Sequence, residues 1–131
     1  MIVLDTHTLL WWVSDKQKLS KKALNLVDRE AKRGQVLVSS ISTWEVAMLV
    51  KRSRLSLKIE VGDFVTQLEN LPSIQFVPIS NRVALAAVNL PDPLHKDPAD
   101  RLIIATAKVN NCKLVTADAK ILAYHHVDAV W

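Results

Sequence analysis

Ile2-Val3-Leu4-Asp5-Thr6-His7-Thr8-Leu9-Leu10-Trp11-Trp12 stands near the start of the chain, and its reading decides the fold. Three consecutive aliphatic residues without polar alternation mark a strand buried on both faces, and Ile2–Asp5 reads as that strand. The apolar residues then resume over Thr8–Val13 as a short helix. A buried strand followed by a helix is the unit of a parallel α/β sheet. The unit recurs: Val36–Ser39 precedes a helix from about Ser42 to Arg52, Phe76–Ile79 precedes a helix capped by Ser80 and running to about Leu90, and Lys113–Thr116 precedes a short helix over Ala119–Tyr124. Val127–Val130 is a last strand. Three further helices complete the pattern. Ser20–Arg33 has Ser20 as N-cap and Gly34 at its C-terminal end, Val61–Leu71 stops at Pro72, and Asp97–Asn111 follows a loop marked by Pro91 and Pro93. Without repeat, linker or low-complexity segment, residues 1–131 are expected to form one α/β domain.

Composition narrows the chemistry. Half of the 131 residues are hydrophobic, enough for a compact core. The only two glycines, Gly34 and Gly62, cannot build a phosphate-cradling loop or a dinucleotide fingerprint, both of which need glycine-dense turns. The single cysteine, Cys112, cannot form an internal disulfide, which fits a cytoplasmic location. Asp5, Thr6 and His7 break the first apolar run too early for a secretory signal, and no stretch approaches the roughly 20 apolar residues of a membrane span. The net charge of +4 makes a polyanion such as nucleic acid a reasonable partner.

Against that basic background, four acids occupy related places in the βα pattern: Asp5 and Asp118 after strands, Glu45 beyond the second strand, and Asp100 in the first turn of a helix. In a parallel sheet these places share the carboxyl edge, where open α/β folds bind ligands. Each acid has a plain alternative. Asp5 could simply end a strand, although a charge directly after buried aliphatics is costly without a partner. Glu45 could face solvent, yet it is the only polar residue from Trp44 to Val50, which predicts a mostly buried helix. Asp97 before Pro98 reads as an N-cap, with Asp100 at N3 as the candidate ligand. Asp118 alone could be a turn residue. Together the four would repel one another unless protons or cations intervene, and Mg²⁺ or Mn²⁺ is the natural counter-charge. Thr6 and Thr116 lie close enough in sequence to orient these carboxylates. His7, His95, His125 and His126 lack the spacing of a zinc site and read as surface or packed residues.

The segments Val3–Trp12, Ser42–Ala47, His95–Ala107 and Val115–Asp118, in this order and covering nearly the whole length, resemble the PIN-domain ribonucleases and, among them, the VapC-type toxins of bacterial toxin–antitoxin pairs. The family's acidic quartet falls on Asp5, Glu45, Asp100 and Asp118. The resemblance implies a three-layer α/β/α sandwich around a short parallel sheet and Mg²⁺- or Mn²⁺-dependent cleavage of RNA. It also implies a homodimer and a VapB-like antitoxin as partner. In the implied mechanism Asp5, Asp100 and Asp118 hold one or two metal ions, with Glu45 on a ligand or a water. Lys51, Arg52, Arg54 and Lys58, a run without an acid after the Glu45 helix, are candidates for gripping RNA phosphates or, equally, a solvated basic loop. A dehalogenase-type phosphatase would need a second acid where His7 stands. A nuclease of structured DNA or RNA and a non-catalytic PIN-fold interaction protein are the remaining alternatives.

Overall fold

A computed structural model describes all residues, Met1–Trp131. Five parallel strands form one sheet in the order β3-β2-β1-β4-β5, with β1 Ile2–Leu4, β2 Val36–Ser39, β3 Ile74–Val77, β4 Lys113–Val115 and β5 Ala129–Val130. β1 is central and fully buried, which is why it carries no polar alternation. Its side chains divide between the two faces as strand geometry requires. Ile2 and Leu4 pack with Leu9, Trp12, Ala23, Val27 and Leu68 on one side, while Val3 packs with Ile103, Ile104, Ala107, Leu114 and Ile121 on the other. Helices α1 (Thr6–Ser14), α2 (Lys21–Lys32) and α4 (Val61–Glu69) supply the first layer. The helix α6 (Pro98–Val109) and the single turn α7 (Ala119–Leu122) supply the opposite one, with α5 (Asn81–Val88) packed on α6 through Val83, Ala87 and Ala105.

The structure shifts several boundaries. The first helix begins at Thr6 rather than Thr8, because Asp5 itself serves as N-cap, its carboxylate accepting from the Thr6 amide at 2.8 Å. In the same way α3 (Ser40–Lys51) starts directly from β2, with Ser39 as N-cap. β3 begins two residues earlier than its apolar run suggests, and β5 shrinks to two residues. A 3-10 turn at Lys16–Lys18 has no counterpart in the sequence reading. Gly34 sits at φ +67° just past α2, where an added Cβ would press on the Pro72 carbonyl at 3.1 Å, so both the backbone conformation and the close approach favour glycine there.

The expectation that α3 is mostly buried is wrong. Only Ser42 and Val46 are buried, and Trp44 is 58% exposed. Val46 alone of its apolar residues joins the core, Ala47–Val50 are half-buried, and Trp44 faces outward. Trp12 is a core residue, and Trp11 is half-buried at the core's rim.

Candidate active site

The strand-to-helix junctions bring the acids together. Asp5 follows β1 and caps α1, and its second oxygen accepts a 2.6 Å hydrogen bond from the Thr116 hydroxyl at the end of β4. Thr116 is fully buried and also accepts from the Asp118 amide at 3.0 Å, so one hydroxyl fixes two acid-bearing junctions on neighbouring strands. Asp118 caps α7 through the Lys120 amide. Asp97 caps α6, accepting from the Asp100 amide at 3.1 Å, with Pro98 in the first turn. Thus Asp5 and Asp100 lie at the amino ends of α1 and α6, whose dipoles partly offset the accumulated negative charge.

Glu45 arrives differently, from within α3. The buried Thr6 hydroxyl donates to Glu45 Oε1 at 2.6 Å and accepts from the buried Ser42 hydroxyl at 2.8 Å. Ser42 and Glu45 are one turn apart on α3, so Thr6 locks that helix to the end of β1. Thr6 orients Glu45 through its hydroxyl and Asp5 only through its backbone amide.

His95, set aside in the sequence reading, is in the cluster. Its Nε2 lies 2.6 Å from Asp100 Oδ2, and ligand atoms of His95, Asp100 and Asp118 all lie within 4.8 Å of one another. Sequence spacing could not reveal this, because the His95–Asp100 pair spans the turn from the proline loop into α6. Asp5 and Glu45 are outside that tight group but within electrostatic reach. Burial raises the pKa of Glu45 above the ordinary carboxylate value, the Thr6 hydrogen bond opposes the rise, and the charges of Asp5, Asp100 and Asp97 add to it. Burial likewise raises Asp100, against the hydrogen bond from His95 and with the charges of Asp97 and Asp5. A carboxylate-rich donor set of this kind fits a hard divalent cation.

Lys51, Arg52, Arg54 and Lys58 stand apart from this cluster, at the C-terminus of α3 and in the loop beyond it. All four are exposed, and none forms an ion pair within the chain. Along the helix Lys51 is about 9 Å from Glu45.

One stability prediction arises here. Thr6→Val preserves shape but removes the donor to Glu45 and the acceptor for Ser42. It should destabilise the chain by about 1–3 kcal/mol, the cost of leaving buried polar groups unsatisfied. Urea unfolding measures this, and an unchanged midpoint would show that the Thr6 hydroxyl does not hold α3 to β1.

Residues 2–127 match the PIN domain family. Ribonuclease VapC22 of Mycobacterium tuberculosis is 35% identical over 125 residues, covering 95% of this chain and 92% of that protein. The chain belongs to the PIN-domain family and stands among its VapC-type ribonucleases. PIN nucleases are typically metal-dependent. The fold matches a toxin–antitoxin complex from Klebsiella pneumoniae with a TM-score of 0.66 at 20% identity, covering 100% of this chain and 97% of that one. It also matches VapBC2 of Rickettsia felis bound to a promoter DNA fragment, with a TM-score of 0.71 at 18% identity over 99% and 98% of the two chains. At these identities the structural matches speak to the fold alone.

Proposed function

We propose that this chain is a Mg²⁺- or Mn²⁺-dependent endoribonuclease, the toxin of a toxin–antitoxin pair, acting in the cytoplasm through Asp5, Glu45, Asp100 and Asp118. The observation that carries this reading is the meeting of β1, β4, α3 and α6 in one acid cluster with buried hydroxyls built to orient it. Kinship with a VapC ribonuclease supports the activity, and the toxin–antitoxin complexes among the structural relatives support a VapB-like antitoxin.

Asp5, Asp100 and Asp118 are the proposed holders of the ion, with His95 fixing Asp100. A bound divalent ion supplies acidification of water and neutralisation of phosphate charge. The chain's own contribution is positional. Thr116 holds Asp5 and Asp118 in register, Asp97 sets the first turn of α6, and Thr6 engages one Glu45 oxygen and leaves the other to orient a water. Lys51, Arg52, Arg54 and Lys58 remain candidates for RNA phosphates by charge, and the exposed Trp44 on α3 offers an apolar surface to a homodimer partner or an antitoxin helix.

Expression of the wild-type chain alone should arrest growth, and co-expression of a cognate antitoxin encoded by a neighbouring gene should restore it. The Asp100→Asn chain should be harmless at equal abundance. Unimpaired growth with RNase activity demonstrably intact would overturn the toxin reading and leave a housekeeping nuclease. No helix of the chain is long and apolar enough to cross a membrane.

A further inference from the structure

Away from the acid cluster, a concavity of about 770 Å³ lies along α2, lined by Lys21, Lys22, Asn25, Arg29, Lys113 and Val130 with Leu26. Four cations and no acid line it. This is not a consequence of an acid-free helix, since α2 contains Asp28 and Glu30. Both are committed elsewhere: Asp28 accepts from the Trp12 indole at 3.0 Å and lies 4.0 Å from Lys16, while Glu30 is paired with the N-terminal amine and Arg33. Lys113 shares Asp128 at 3.0 Å, but Lys21, Lys22 and Arg29 have no ionic partner in the chain. Asp128 offsets Lys113 and the charge of Glu30 acts on Arg29, but Lys21 and Lys22 are not paired within the chain, so the groove keeps a net positive field.

A chain of aromatic rings links it to the acids. His7, exposed and two residues beyond Asp5, lies 5.8 Å from Trp11 between ring centroids, and Trp11 lies 5.8 Å from Trp131. Trp131 follows Val130, which lines the groove. His7 is exposed and can stack on a base, while the half-buried Trp11 and Trp131 behind it also pack on the core. Such rings leading into a run of cations are the two components of a single-strand nucleic-acid track. Lys22 and Arg29 are about 10 Å apart along α2, enough to meet separate phosphates of one strand.

We propose that the α2 groove and the His7–Trp11–Trp131 rings form a second RNA-binding track, holding single-stranded substrate that continues past the cleavage site. The proposal rests on the ribonuclease reading for its ligand, and its test separates the two. Binding of a labelled single strand of about 20 nucleotides, beyond the roughly 4–16 that one groove covers, is measured by anisotropy in excess chelator across a salt series. Lys22→Ala/Arg29→Ala should lower the slope of log affinity against log salt by about 1.4, two contacts at about 0.7 each. The equally charged control Lys32→Ala/Arg82→Ala, on exposed residues outside the groove, should leave that slope unchanged. His7→Ala should weaken binding about tenfold, the effect of losing one stacked base. Equal slopes for the two double variants, in a wild type that cleaves RNA when Mg²⁺ is added, would overturn the track and leave the nuclease intact. A selective slope change in a protein that cleaves no RNA would support the track and overturn the nuclease. Normal RNA binding by the groove variant, with loss of binding to polyglutamate, would reassign the groove to an acidic peptide.

Discussion

Replacing Asp5 with Asn should reduce RNA cleavage by a thousandfold or more while leaving the fold intact. A cation-binding charge in a metal-assisted hydrolase is worth several kcal/mol in the transition state, and each 1.36 kcal/mol is tenfold in rate, so about 1,000-fold is the expected scale. The fold should survive because asparagine is as good an N-cap as aspartate, and its carbonyl can still accept from the Thr6 amide. The amide group would face the Thr116 hydroxyl, which now donates to Asp5 at 2.6 Å and would have to turn. That costs about 1 kcal/mol. Relief of repulsion with Glu45 and Asp100 acts in the opposite direction, so the melting temperature in metal-free buffer should hold or rise. Single-turnover cleavage of labelled RNA and a circular-dichroism melt measure the two effects. A rate within tenfold of wild type would remove Asp5 from the mechanism.

The second large effect concerns stability. Adding Mg²⁺ or Mn²⁺ to chelator-treated protein should raise the melting temperature, because only the folded chain assembles the acids. At a hundredfold excess over Kd the gain is about 2.7 kcal/mol, on the order of 10 °C for a chain of this size. The gain should also depend on pH. Glu45 and Asp100 both have pKa values raised by burial from ordinary values of 4.5 and 3.8. Below those values both groups are protonated in folded and unfolded chains alike. As pH rises through them the unfolded chain ionises first, so the metal-free protein loses stability until the folded groups ionise as well. The ion should therefore stabilise more at pH 7 than at pH 4. Glu30 behaves in the opposite sense: the hydrogen bond from the N-terminal amine holds its pKa low, so its contribution is lost as pH falls below 4.5. Glu45→Gln separates the two, flattening the metal-free profile on the high side only. A melting temperature indifferent to divalent ions would show that the cluster binds none.

How much of this was legible in the sequence varies with the physics of each element. The central strands were, because β1 and β2 are buried throughout and Leu114 and Val115 of β4 are buried too, so their aliphatic runs carry no polar alternation. The outer strands β3 and β5 were displaced, since at the edges of the sheet exposed polar residues, Gln75 within β3 and Asp128 just before β5, blur the apolar run. The starts of α1 and α3 were placed too late, because Asp5 and Ser39 end a strand and cap a helix at once, leaving no loop to mark the change. Asp5, Asp100 and Asp118 are singled out by their positions after strands or in the first turn of a helix, and Glu45 by its place in an apolar helical stretch. Their supports could be found only in part. Thr116 stands two residues from Asp118 in sequence, but its bond to Asp5, like that of Ser42 to Thr6, is made only by folding, and the turn into α6 is what brings His95 onto Asp100. Trp44 shows the limit of apolar patterning: it lies in a hydrophobic helical stretch and is nonetheless 58% exposed.

The most direct measurement is a divalent-ion titration of RNA cleavage by the purified wild-type and Asp5→Asn chains, starting from excess chelator. The expected result is no cleavage by either chain without added ion, saturable activation of the wild type by Mg²⁺ or Mn²⁺, and no activation of Asp5→Asn at any concentration. Cleavage by the wild type in excess chelator, or an Asp5→Asn chain activated as fully as wild type, would contradict the assignment of a carboxylate-held metal site.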